Sequence, residues 1–163
     1  MKEAPTLIAS RIAAPRGGAP APSGGRAALA VCDCGRLDAR QRPLAYAQCC
    51  GRYLDDWAGL PAPDAESLMR SRYTAFVRAR ADYLLATWHV SRRPATLDFD
   101  AGVRWLGLEV KDRKAVDADH AEVAFVARQR DAGGRAHRLS ERSRFVREDG
   151  RWYYLDAIEI NKG

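Results

Sequence analysis

The sequence predicts an α+β fold, in which a curved antiparallel sheet packs on helices that precede it and a small cysteine-rich module lies ahead of both. Three observations carry this. Apolar residues recur at three- and four-residue steps between about 65 and 87, then switch to alternation beyond Pro94. No strand–helix alternation follows, which argues against a parallel doubly wound sheet. Four cysteines, the only ones in 163 residues, fall within nineteen positions as Cys32-Asp33-Cys34-Gly35 and Gln48-Cys49-Cys50-Gly51.

Taken in order, residues 1–30 are built mostly of Ala, Pro, Gly and Arg and hold no aromatic residue. Such a segment cannot bury enough surface to offset its ordering entropy, so a disordered tail is expected. Residues 31–53 form the cysteine module. Residues 54–63 carry Pro61, Pro63 and Gly59 around Trp57 and read as a linker. The second domain is expected over 64–163. Asp64 can cap a helix from about Ala65 to Arg80, with Glu66 in its first turn. Leu68, Met69, Tyr73, Phe76 and Val77 give that helix an apolar face. Asp82 can cap a second, short helix through about Thr87. Four strands are expected near 103–113, 120–130, 137–147 and 151–160. Asp131-Ala132-Gly133-Gly134 and Glu148-Asp149-Gly150 supply hairpin turns. A sheet wrapped over the first helix leaves a concave interior where a ligand can sit.

Composition narrows the class. Hydrophobic residues are 47% and charged residues 29%, the balance of a globular domain. The net charge of +6 is spread: residues 1–30 hold +3, from Lys2, Arg11, Arg16 and Arg26 against Glu3, and the rest of the chain holds the other half. Nucleic-acid binding is therefore weakly supported. No run approaches the about 18 apolar residues of a membrane span, and the N-terminal apolar stretch Thr6-Leu7-Ile8-Ala9 is too short for an export signal. A cytoplasmic location is expected, where clustered cysteines read as metal ligands before disulfides.

Zn²⁺ needs deprotonated soft ligands in a tetrahedron, and two close cysteine pairs across a loop supply four. Gly35 and Gly51 follow the pairs and permit sharp turns. The Cys-x-x-Cys spacing of redox motifs is absent, and a Cys49–Cys50 disulfide would be strained. Free or regulatory thiols remain the alternative to zinc on spacing alone.

The run Cys32-Asp33-Cys34-Gly35 with Tyr46-Ala47-Gln48-Cys49-Cys50-Gly51-Arg52-Tyr53 resembles the SEC-C motif, a zinc-binding module. The segments Ala65 to Phe76, Ala81 to His89, and Ser143-Arg144-Phe145 with Gly150-Arg151-Trp152-Tyr153-Tyr154 resemble the YchJ-like (UPF0225) proteins. The resemblance covers about residues 31–160. It implies a SEC-C module joined to an NTF2-like domain, with structural Zn²⁺ on Cys32, Cys34, Cys49 and Cys50, and it names no established activity. One departure stands out. Fourteen residues separate Cys34 from Cys49, a longer connection than the motif usually has, and Arg36-Leu37-Asp38 stands where Gly-Ser-Gly-Lys is common.

Candidate pocket residues come from strand phase. Leu139, Glu141, Ser143 and Phe145 share one face, so Glu141 would point inward, either as a general base or as a buried partner of Arg72, Arg70 or Tyr73. Asp156 shares the phase of Trp152, Tyr154 and Ile158 and is a second inward candidate. Tyr73, Trp88 and Trp105 could line the mouth of the cone, although large aromatics are more often core. No phosphate loop, nucleophile elbow or dinucleotide fingerprint is present. The expected function is a non-enzymatic interaction module with a protein or ribonucleoprotein partner, Arg36, Arg40 and Arg42 offering a basic face. The alternative is a small-molecule enzyme or ligand-binding protein of the cone interior. A homodimer through the sheet face is expected by analogy with related folds.

Overall fold

The structure, a computed structural model, describes residues 29–163. The expected tail of residues 1–30 lies outside the described residues apart from its last two positions. Helices α1 (Gly51–Leu54), α2 (Ala65–Val77) and α3 (Ala81–Ala86) are followed by strands β1 (Arg104–Ala115), β2 (His120–Arg130), β3 (Ala136–Glu148) and β4 (Arg151–Lys162). The strands form one antiparallel sheet in the order β1-β2-β3-β4, every pair joined by a short connection. Asp149 and Gly150, both with positive φ, make the tight turn between β3 and β4.

Bulges curve the sheet. The central pair β2–β3 runs in unbroken register, whereas the pairings of β1 and of β4 each slip twice. Leu106 and Lys111 are the extra residues of β1, and Leu155 and Ile158 those of β4. An extra residue bends the bulged strand and raises its twist, so the two outer strands curl toward the helices. The bulges also explain why the large apolar side chains of Leu106 and Ile158 are about half exposed.

The concave face closes on α2. Leu68, Met69, Tyr73 and Phe76 share one core with Val123, Phe125, Phe145 and Tyr154. The N-cap expectation holds, since the Asp64 carboxylate accepts the Ser67 N–H at 2.7 Å. Asp64→Ala is expected to cost about 1 kcal/mol, read as a lower urea midpoint at unchanged slope. Asp82, by contrast, does not cap α3. It lies in the first turn and binds the Arg80 guanidinium, so the helix starts without a side-chain cap. Residues Thr87 and His89 exchange backbone hydrogen bonds with Tyr154, tying the helical layer to β4.

The cysteine module leans on the other side of α2. Ser67, Arg70, Thr74 and Arg78 form a polar stripe at helical spacing, and each contacts the module. Eleven of the thirteen α2 residues are buried as a result. The 54–63 segment, read as a linker, is itself packed: Leu54 and Ala62 belong to the core, and Arg151 stacks on Trp57 and donates to its carbonyl. Among the described residues no helix is long and apolar enough to cross a membrane.

Candidate metal centre and cone interior

The long Cys34–Cys49 connection is an ordered hairpin arm. Backbone hydrogen bonds join Cys32 to Leu44, Leu44 to Arg36, and Asp38 to Arg42. At the tip the Asp38 carboxylate accepts the N–H groups of Arg40 and Arg42. The arm brings Cys32 and Cys34 back over Cys49 and Cys50, which sit between the single turn Tyr46–Gln48 and α1. One sulfur from each of the four lies within 4.8 Å of the others, and all four residues are buried and unpaired by disulfides. Four such thiols could hold a metal ion.

The electrostatics favour a cation among them. Hydrogen bonding from Cys34, then Cys49 and Cys50, drives the Cys32 thiol far below its ordinary range. The same crowding, led by Cys32 and reinforced by burial, drives Cys34 and Cys50 far above it. Cys49 is lowered as well, the upward pull of Cys32 being outweighed by hydrogen bonds with Cys34 and Cys50, and ionisation of the remaining thiols stacks like charges in a buried site. A bound cation removes that obstacle.

Around the sulfurs stands a set of arginines. Arg70 donates to the Cys34 carbonyl at 3.1 Å and to Glu66 at 2.7 Å. Arg78 binds Asp33 at 2.8 Å and lies 3.7 Å over the Tyr46 ring. Arg36 reaches the Ser67 hydroxyl at 3.0 Å. Arg36, Arg52 and Arg70 border a cleft of about 230 Å³ beside Cys49 and Cys50. The basic face expected from Arg36, Arg40 and Arg42 is therefore recomposed. Arg42 is paired with Asp38, while Arg52 and Arg70 join Arg36. The polar stripe on α2 was the available signal for Arg70, although its spacing from Glu66 also accounts for an ion pair along the helix.

The cone interior gathers some of the pocket candidates and not others. Glu141 points inward, 3% exposed, beside Ser143 and Phe145. Burial pushes its carboxyl up to about 7, against the hydrogen bond from Ser143 and the nearby Arg72 charge. The Ser143 hydroxyl donates to one carboxylate oxygen, and the other has no partner among the described residues. Arg72, also buried, makes no ion pair with it. Its guanidinium donates to the Leu84 carbonyl and the Thr87 hydroxyl, each at 2.8 Å, and lies against Trp88 and Tyr154. Burial holds Arg72 down to about 10. Arg70 is committed to Glu66 and takes no part.

Trp88 is core, edge-on to Tyr154. Tyr73 is buried edge-on to Trp105, and its hydroxyl is pushed up to about 12 by burial. Asp156 does not point inward. The bulge at Leu155 reverses the phase of β4, and Asp156 lies opposite Arg144, which grips both its oxygens at 2.7 and 2.6 Å. What remains inside is a void of about 10 Å³ bordered by Tyr73, Phe76, Trp105, Phe125 and Phe145, no larger than one water.

The family described as YchJ, middle NTF2-like domain, matches residues 64–157. A UPF0225 protein of Polaromonas sp. strain JS666 is 72% identical over 128 residues, 78% of this chain and 92% of its own length. The chain belongs to the UPF0225, YchJ-like family. A UPF0225 protein of Xanthomonas campestris pv. campestris is 59% identical, covering 77% of this chain and 92% of that one. Two solved structures described as SEC-C motif containing proteins are similar to this chain in fold. That from Psychrobacter arcticus has TM-score 0.66 and 32% identity over 80% of this chain and 82% of its own. That from Rhodopseudomonas palustris has TM-score 0.66 and 30% identity over 81% and 100%.

Proposed function

We propose that this protein is a zinc-ordered recognition module on an NTF2-like scaffold, which docks a protein or ribonucleoprotein partner in the cytoplasm. The observation that carries this reading is the sulfur cluster. A tetrahedral zinc with Zn–S near 2.3 Å requires sulfurs about 3.8 Å apart, and Cys34 lies 3.6 Å from Cys49, and Cys49 3.9 Å from Cys50. With all four positions taken by sulfur, zinc has no open site for a substrate or an activated water, and its contribution is to fix the surface around it. That surface is the hairpin arm, the arginine-bordered cleft and the exposed Leu37 near the tip. The water-sized interior supports the same reading against a small-molecule enzyme of the cone.

Metal analysis of the full chain should give one zinc per molecule. Cross-linking in cells should then capture a discrete partner that is lost in both Cys49→Ser and Arg52→Glu. The second variant is expected to keep its zinc and its melting temperature, so it separates a lost contact from a lost fold. Capture that survives Arg36→Glu and Arg52→Glu together would remove the surface from the proposal.

A further inference from the structure

A second pocket, of about 210 Å³, opens where the C-terminal end of α2 meets the loop before β1. None of its residues belongs to the cysteine module. Three aromatic rings converge on it. Phe76 meets Phe99 edge-on at 6.1 Å and Trp105 at 5.9 Å with a 45° tilt. The exposed Asp98 and the half-buried Asp100 also border it, with Val77, Ala79, Ala101 and Val103, and among the described residues neither aspartate has a cationic side chain within 4.0 Å.

The loop that carries the two carboxylates is held in place. Asp100 accepts the Gly102 N–H on its side chain at 2.8 Å and the Val103 N–H on its carbonyl at 3.1 Å. Gly102 lies so close to the β2–β3 turn that a Cβ there would come within 2.7 Å of the Ala132 Cβ. The pocket is thus formed without a ligand, which lowers the ordering cost of binding one.

Two carboxylates without an ion-pair partner border this space beside the C-terminal end of α2, where the flanking Arg78 and Arg80 are engaged by Asp33 and by Asp55 and Asp82. They do so in a chain of net charge +6, whose other acidic residues are largely engaged by arginines. Aromatic faces add to the attraction for a cation and supply an apolar surface for its stem. An anion is repelled here, and a neutral apolar molecule gains nothing from the carboxylates. We propose that this pocket binds an organic cation with an apolar stem: an alkylammonium or guanidinium group, carried either by a small amine or by a lysine or arginine side chain of a peptide.

The test is an amide and indole NMR titration of the full-length, zinc-loaded chain with benzylammonium and butylguanidinium, against benzyl alcohol as the uncharged counterpart. A lysine-containing pentapeptide and its glutamine counterpart form the second arm. The cations should shift the resonances of Phe99 to Trp105 saturably, at least tenfold more tightly than benzyl alcohol. Asp98→Asn with Asp100→Asn should weaken the cations at least tenfold and leave benzyl alcohol unchanged. Asn at 100 retains an oxygen for the Gly102 N–H, so an unaltered spectrum elsewhere shows that the loop is intact. Tighter binding of the lysine peptide than of the free amines assigns the source to a side chain, and the reverse assigns it to a small molecule. Equal binding of charged and uncharged probes, an unaltered affinity in the double variant, or no shift at millimolar cation overturns the proposal. None of these readings depends on the cysteine module having a partner.

Discussion

Removing the zinc proposed for the cysteine cluster, by chelation or by Cys50→Ser, is expected to lower the melting temperature of the whole chain by about 10 °C or more, the effect of losing about 3 kcal/mol. The size follows from where the cluster sits. Cys32, Cys34, Cys49 and Cys50 belong to the same continuous core as Leu68, Tyr73 and Phe145. The arm they close is also the partner of Ser67, Arg70, Thr74 and Arg78 on α2. Without metal, four sulfurs crowd a buried site in which full ionisation stacks like charges, and the arm loses the crosslink that keeps Arg36 and Asp33 in reach of the helix. Near-UV circular dichroism, which reports Trp57, Trp88, Trp105 and Trp152, should melt together with the far-UV signal at the lowered temperature. A chelated protein whose tryptophan signal melts at the original temperature would show that the module is an independent appendage.

Glu141→Gln is expected to stabilise the protein at pH 8 by roughly 3 kcal/mol and to flatten its stability between pH 5 and 8. The Glu141 carboxyl binds its proton more tightly folded, at about 7, than unfolded, near 4.5. Below the lower value both states are protonated and the group contributes nothing. As pH rises through this window the unfolded chain ionises first, so native stability falls and the full penalty is reached above about 7. Glutamine keeps the oxygen that accepts from Ser143 and carries no charge to desolvate. Urea titrations at pH 5, 6, 7 and 8 check this. If the variant is the less stable protein at pH 8, the folded carboxyl titrates below its unfolded value and Arg72 is its working counter-ion.

Much of the architecture could be read from residue order. Asp64 ahead of an apolar periodic run marked α2, and Asp131-Ala132-Gly133-Gly134 and Asp149-Gly150 marked the turns. The inward side of β3 followed from alternation, because β3 pairs without a slip with β2. Alternation failed on β4, where the extra residues at Leu155 and Ile158 break the two-residue period that put Asp156 inside. A bulge leaves no mark in a single sequence when the inserted residue is an ordinary aliphatic. The cysteine quartet was equally legible, since its chemistry is local. What it touches was not: the contacts of Arg36, Asp33 and Cys34 with α2 span thirty-one to forty-five residues of chain and depend on how the arm folds back. Arg72 hid for a related reason, its partners being a helix carbonyl, a hydroxyl and two rings instead of a carboxylate.

The bulges on β1 and β4 also bear on aggregation. Both are edge strands, and an edge strand normally offers a row of free N–H and C=O groups to any extended chain that meets it. Here each edge is interrupted twice, and β4 is further occupied by the Thr87–His89 segment. Growth of the sheet by addition of a foreign strand, the first step toward fibrils, finds no straight template on either side. The laced charges of Arg142 with Asp112 and Glu122 keep the outer face of the sheet hydrated as well, so that neither the edges nor that face offers a bare apolar template.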